Sequence, residues 1–388
     1  MTTKTLAEKY KRFATPYYLY DEALLQKTLK KLNHEMLKDS RYVMHYAIKA
    51  NANPIVLRHI LAAGLGIDCV SGGEIEVACS MGFDPKTIVF SGVGKADWEI
   101  RLGLNKGIGC FNVESLPELD IINLIAAELG IKADICLRIN PNVGAHTHAN
   151  IVTGLSDNKF GIDMAHMFDV IESARDMTNI NLIGLHFHIG SQILVMDDFI
   201  ALCNRINELQ DVLDTKGVSM KIINVGGGLG IDYNAPETNQ IPNFKEYFEI
   251  FRKNIKLHEG QQLHFELGRA IVAQCGKLIS QVLYVKDNTN KKFVILDAGM
   301  TELIRPALYG AHHKIVNISS DKPTETYDVV GPICESSDTF AVNMQLPHTQ
   351  RGDIVAIMSA GAYGETMASA YNCRSLPKSY SVNDIMTN

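Results

Sequence analysis

Eight short apolar runs, spaced by helix-like stretches, constrain this chain more than any other feature. The runs fall at 43–49, 66–71, 87–91, 107–113, 133–140, 181–188, 220–225 and 262–266. Helix-like segments lie between them, near 54–64, 73–81, 95–105, 115–129, 164–177, 196–216 and 243–257. A first helix is expected over 23–36, where Leu24, Leu25, Leu29 and Leu32 share one face. Strands joined by helices must run parallel, because each helix returns the chain to the same sheet edge. Eight such units predict a closed (β/α)8 barrel. An open doubly wound sheet is the alternative. Its usual mark, a glycine-rich turn after the first strand, is missing.

From about residue 270 the texture changes. Runs at 282–286, 292–296, 325–330, 340–344 and 354–358 are short, β-branched and separated by turns. They predict a second, all-β domain, a sandwich or barrel-like sheet. Tyr17-Tyr18-Leu19-Tyr20 has the composition of a strand that joins it. The expected division is 22–268 for the barrel and 1–21 plus 269–388 for the β domain. A net charge of −6 with no basic block argues against a nucleic-acid surface. No stretch approaches the roughly 18 uninterrupted apolar residues of a membrane span. The first 20 residues are polar and lack the apolar core of an export signal. The eight cysteines include no Cys-x-x-Cys pair, so free thiols and a cytoplasmic location are expected.

A barrel presents its chemistry at the carboxyl ends of its strands. Lys49 ends the first run, and an ammonium there either snorkels to solvent or serves as an amine nucleophile for an aldehyde. His186-x-His188 ends the sixth. A metal pair is one reading, but no partnering ligands stand at the other strand ends, so no metal is expected. Gly226-Gly227-Gly228 follows the seventh run, either as a tight turn or as a cradle whose backbone N–H groups hold an anion. Glu266 closes the eighth, with Gly268 and Arg269 beside it. An amine, an anion cradle, a ring-facing histidine and a carboxylate for a ring nitrogen are the parts that pyridoxal phosphate needs.

These motifs carry a family resemblance. Tyr-Ala-Ile-Lys-Ala-Asn at 46–51, His-Ile-Gly-Ser-Gln at 188–192, Gly-Gly-Gly at 226–228 and Glu-Leu-Gly-Arg at 266–269 resemble the barrel-type (fold III) pyridoxal-phosphate decarboxylases. Asp-Ala-Gly-Met at 297–300, Arg-Pro-Ala-Leu-Tyr at 305–309, Cys-Glu-Ser-Ser-Asp at 334–338 and Gly-Ala-Tyr-Gly at 361–364 narrow the resemblance to members acting on diaminopimelate. It spans about 14–380, with Leu267 standing where the family often has proline. The resemblance implies that Lys49 forms the internal aldimine with pyridoxal 5'-phosphate and that His188 lies against the ring. Ser191, Gly227, Gly228, Gly268 and Arg269 are implied for the phosphate, Glu266 for the ring nitrogen and Tyr363 for the cofactor. The implied reaction converts meso-2,6-diaminopimelate to L-lysine and carbon dioxide.

The substrate end that does not react carries a carboxylate and an ammonium. Its recognition needs a cation and an anion together. Arg305 and Glu335 supply them, with Arg269, Tyr309 and Tyr363 as further contacts. Arg305 also reads as a structural ion pair. Cys334 is the candidate proton donor by analogy, or else an inert thiol. The resemblance further implies a homodimer in which the partner subunit supplies residues such as Cys334 and Glu335. Decarboxylation of another basic amino acid, racemisation on the same scaffold, and ligand binding without catalysis are the alternatives. The connection 141–164 is long for a barrel loop, and a mobile lid is the expectation there.

Overall fold

The structure, a computed structural model, describes residues 3–144 and 158–386. The chain opens with α1 (Thr3–Tyr10), β1 (Tyr17–Tyr20) and α2 (Glu22–Met36). Leu25, Leu29 and Leu32 of α2 are buried, as their spacing requires. Eight strands then alternate with helices. They are β2 (Tyr42–Ala47), β3 (Gly66–Cys69), β4 (Ile88–Phe90), β5 (Cys110–Val113), β6 (Ala133–Arg138), β7 (Ile180–His186), β8 (Ile222–Asn224) and β9 (Gln262–Leu267). Each pairs in parallel with the next, and β9 pairs with β2, so the barrel closes.

The connecting helices are α3 (Pro54–Ala62), α4 (Gly72–Ser80), α5 (Asp97–Lys106), α6 (Leu116–Leu129), α7 (Met167–Asp176), α8 (Asp197–Thr215) and α9 (Phe244–Asn254). Their ends are written in the sequence. Asn53, Ser71 and Ser115 accept hydrogen bonds from the first turns of α3, α4 and α6. Gly107 ends α5 at φ 67°, a left-handed conformation that glycine adopts readily, so β5 starts at Cys110 and not at 107. Gly72 is pressed by the ring of Trp98 at the start of α5, which a Cβ on Gly72 would meet at 2.6 Å.

The rest of the chain forms α10 (Arg269–Val272), β10 (Gly276–Asn288), β11 (Lys291–Leu296), α11 (Arg305–Tyr309), β12 (Ile315–Asn317), β13 (Thr324–Val330), β14 (Thr339–Pro347), β15 (Ile354–Ile357), β16 (Lys378–Ser381) and α12 (Val382–Met386). The sheet order is β12-β15-β10-β11-β13-β14, and β1 pairs with β10 and β16. The chain divides into two units. One is 29–230 plus 243–268, which holds the barrel. The other is 1–28, 231–242 and 269–388, which is mostly sheet. The stretch 231–242 thus groups with the sheet unit although it lies within the barrel's run of sequence. Of the long connection 141–164, residues 145–157, with His146, His148 and Gly154, lie outside the described residues. Ile162 bridges back to Ile139 beside β6.

Two of the histidines buried in the barrel face each other. His45 Nδ1 lies 3.0 Å from the Thr87 carbonyl, so it carries the proton and donates. His45 Nε2 then accepts from His264 Nδ1 at 3.0 Å, which leaves the His45 ring neutral. Burial pushes His264 down to about 3, helped by His45 and opposed by Glu266. Burial lowers His45 as well. The unfolded chain protonates both near pH 6.5, whereas the folded barrel resists. The stability that His264 contributes is full above about pH 6.5 and is lost as pH falls toward 3, by about 1.4 kcal/mol per pH unit, and His45 acts in the same direction. Denaturant midpoints measured from pH 7 to 4 are expected to fall, with a shallower slope in His264→Gln. Equal slopes in the two proteins would contradict this account.

Candidate active site

Strand β2 stops at Ala47, and Ile48–Ala50 form one 3₁₀ turn. Lys49 therefore stands on a turn just past the strand, not within it as the apolar run predicts. The Tyr46 hydroxyl staples the turn by donating to the Asn51 carbonyl at 2.8 Å. The Lys49 side chain is 40% exposed, and its Nζ lies 3.3 Å from Oδ2 of Asp68 on β3. Asp68 is buried. Burial and the charge of Glu266 raise its pKa, and Lys49 and Ser91 pull the other way.

From Asp68 a chain of hydrogen bonds crosses the barrel. Ser91 Oγ, just after β4, donates to Asp68 Oδ1 at 2.8 Å. Asn112 Nδ2 on β5 donates to Ser91 Oγ at 2.9 Å and to Glu266 Oε1 at 3.0 Å. Glu266 on β9 also accepts from Asn224 Nδ2 on β8 at 2.7 Å and from His186 Nε2 on β7 at 2.9 Å. Arg138 ends β6 and pairs with Glu114 at 2.8 Å. Every barrel strand thus delivers one polar side chain at or just past its carboxyl end. Asp68, Ser91, Asn112, Arg138 and Asn224 escape motif reading because each is a lone polar residue in or beside an apolar run. A polar residue at the carboxyl end of each predicted strand was the signal available.

Glu266 is buried, which alone raises a carboxyl pKa. The charge and hydrogen bond of His186, with Lys49 and His45, outweigh burial and hold it below the usual carboxylate range. Its two oxygens offer about four acceptor positions, and three donors among the described residues use three of them. One position is left for a further N–H donor, which fits a protonated pyridine nitrogen.

The glycines after β8 are held as tightly as a cradle requires. A Cβ on Gly226 would lie 2.4 Å from the Phe187 carbonyl oxygen. On Gly227 it would lie 2.1 Å from the Glu266 carbonyl oxygen, and on Gly228 2.8 Å from that of Gly190. Gly226 and Gly228 also adopt φ of 69° and 109°. The Gly227 N–H donates to His188 Nδ1 at 3.2 Å, so the His188 proton sits on Nε2. Burial, then the cations Arg138 and Lys49, hold His188 well below its ordinary pKa, so the ring is neutral. Ser191 follows Gly190 on the same loop. Gly268 is crowded by Ala50 and Ala47, whose Cβ atoms stand 3.0 and 3.1 Å from the position of an added Cβ. An amine, a side-chain-free loop, a neutral histidine and an ionised carboxylate with a spare acceptor position are together compatible with pyridoxal phosphate.

The sheet unit holds the other expected residues. Arg269 and Arg305 are buried. The Arg269 guanidinium lies 4.8 Å from the centre of the Tyr363 ring, and Tyr363 takes φ 55°. Among the described residues no carboxylate pairs with Arg305, so it is not the structural ion pair that its surroundings in sequence allow. Tyr309 ends α11. Cys334 and Glu335 lie exposed between β13 and β14, and Glu335 accepts from Tyr371 Oη at 2.7 Å. Cys334 is therefore not a buried thiol, and all eight cysteines are unpaired. Among the described residues no three His, Cys, Asp or Glu side chains converge as metal ligands, and no helix is long and apolar enough to cross a membrane.

The family described as "Pyridoxal-dependent decarboxylase, pyridoxal binding domain" matches residues 22–273. The diaminopimelate decarboxylase of Bacteroides thetaiotaomicron is 60% identical over 379 residues, covering 98% of each chain. That of Vibrio cholerae is 42% identical over 370 residues, 95% of this chain and 88% of the other. The crystal structure of diaminopimelate decarboxylase from Helicobacter pylori complexed with L-lysine matches with a TM-score of 0.89 at 39% identity, over 97% of this chain and 94% of that one. A lysine/ornithine decarboxylase from Vibrio vulnificus, 22% identical with a TM-score of 0.85, shares the fold. An added methyl group at Gly227 forces the loop away from the Glu266 carbonyl, and overpacking of this kind costs about 1–3 kcal/mol. Gly227→Ala is expected to weaken pyridoxal phosphate binding about tenfold or more in an absorbance titration; unchanged binding would mean that the loop does not hold the cofactor.

Proposed function

The chain belongs to the pyridoxal-dependent decarboxylases, and we propose that its reaction converts meso-2,6-diaminopimelate to L-lysine and carbon dioxide. The observation that carries this reading is 60% identity along 98% of its length to a diaminopimelate decarboxylase. Bound pyridoxal phosphate supplies the electron sink that takes up the charge left by carbon dioxide. The residues of this chain hold, orient and protonate. Lys49 binds the cofactor through its amine, with Asp68 at 3.3 Å to receive the ammonium whenever Lys49 is displaced. Glu266 accepts from the ring nitrogen and, being ionised, keeps it protonated. His188, neutral, faces the ring. Ser191, Gly227, Gly228 and the backbone at Gly268 and Arg269 hold the phosphate, and Tyr363 completes the cofactor contacts.

Arg269, Arg305, Tyr309, Glu335 and Tyr363 recognise the end of the substrate that does not react. Arg305 favours this substrate over ornithine or lysine. A buried guanidinium with no carboxylate partner among the described residues repels a plain ammonium and attracts a second carboxylate. Cys334 returns a proton to the carbon that lost carbon dioxide, and its exposed position suits a thiol that works in a site shared with a partner subunit. The working form is a cytoplasmic homodimer. The lid proposed for 141–164 falls largely on residues outside the description.

Carbon dioxide release is to be assayed from meso-diaminopimelate, ornithine, lysine and arginine with added pyridoxal phosphate. Release from diaminopimelate alone is expected, and a Lys49→Ala protein is expected to lose more than about a thousandfold in kcat. Borohydride reduction is expected to leave the cofactor on Lys49. Faster release from ornithine than from diaminopimelate would replace the substrate assignment, and an unmodified Lys49 in an active enzyme would replace the mechanism.

A further inference from the structure

In the sheet unit two buried guanidiniums converge on one neutral oxygen. Tyr233 Oη accepts from Arg269 Nη1 at 2.8 Å and from Arg305 Nη1 at 2.8 Å. Arg305 also lies over the Tyr233 ring, 4.9 Å from its centre. The second hydrogen of Arg305 Nη1 goes to His313 Nε2 at 2.8 Å. His313 Nδ1 lies 2.9 Å from the Met358 carbonyl oxygen, which only accepts. The proton of His313 is therefore on Nδ1, and Nε2 offers its lone pair to the arginine. The two rings meet edge to face at 5.0 Å. Burial and the nearby Arg305 push His313 down to about 3, so the ring stays neutral at any working pH.

The choice of partners is informative. A buried arginine is ordinarily matched by a carboxylate, which fixes its direction and cancels its charge. Here both jobs are separated. A phenol and a neutral imidazole fix the direction of the guanidinium and leave its charge intact. Two like charges drawn to one oxygen repel each other, and an arriving anion relieves that repulsion.

We propose that Tyr233 and His313 are positioning residues that aim Arg305 at the substrate carboxylate that is not lost, while leaving its cationic charge to bind it. This rests on the reaction proposed above. It adds two residues to substrate selection, neither of which is expected to touch a reacting atom.

The test is steady-state kinetics on the pyridoxal-phosphate-loaded enzyme, with L-lysine and 1,5-diaminopentane as competing inhibitors. L-Lysine keeps the recognised carboxylate and the diamine lacks it. Tyr233→Phe is expected to raise KM for meso-diaminopimelate about tenfold or more, with kcat within about twofold. Its inhibition constant for L-lysine should rise in parallel, and that for the diamine should not. His313→Glu neutralises Arg305 and is expected to raise KM about thirtyfold or more. His313→Gln, a neutral acceptor, is expected to raise it no more than about threefold. If the Glu and Gln variants shift KM alike, or if Tyr233→Phe weakens L-lysine and the diamine equally, the proposal is overturned. Should His313→Glu not fold, the two inhibitors on Tyr233→Phe decide alone. A wild-type enzyme that releases no carbon dioxide from diaminopimelate would instead overturn the underlying reaction.

Discussion

The barrel depends on one ionised carboxylate kept in its interior. Glu266 is buried, and a buried charge is tolerated only when hydrogen bonds replace the water it has lost. Three strands answer that demand through Asn112, His186 and Asn224. Asn112 carries the network on to Ser91 and Asp68, and Asp68 faces Lys49. The amine and the carboxylate thus stand at opposite ends of one continuous polar path. Removing a member leaves a neighbour unsatisfied in the interior, so the chemistry and the barrel's integrity share the same bonds.

Much of this was legible in the sequence because parallel strands buried on both faces are written as apolar runs. The runs gave the barrel, and the residue that ends each run gave Lys49, His188, Glu266 and the glycines. What stayed illegible has a common cause. Asp68, Asn112 and Asn224 are single polar residues whose partners lie 19 to 154 positions away, and no local period encodes such pairings. Tyr233 was hidden for a different reason. It sits on 231–242, a stretch without strands that groups with the sheet unit, so chain order assigned it to the barrel. Strands β12 and β16 were missed because Ile-Val-Asn and Lys-Ser-Tyr-Ser are too short to carry a usable alternation.

The two units solve opposite electrostatic problems by the same device. In the barrel an anion is surrounded by donors, two of them neutral amides. In the sheet unit the Arg305 cation meets neutral acceptors, Tyr233 and His313. Each arrangement fixes an ion's geometry largely through neutral hydrogen-bonding groups, and Arg305 keeps its charge. Enzymes that bind a doubly charged substrate need such unspent charge, because an internal salt bridge would have to be broken at every turnover.

The contact between Trp98 and Gly72 has a practical corollary. The chain has one tryptophan, and its indole rests on the helical layer around the barrel. Intrinsic emission excited at the red edge of protein absorption therefore originates from that unit alone. A fluorescence melt therefore follows order around that indole, whereas a far-ultraviolet dichroism melt follows the helices and strands of both units, so a gap between the two midpoints marks unfolding in more than one step.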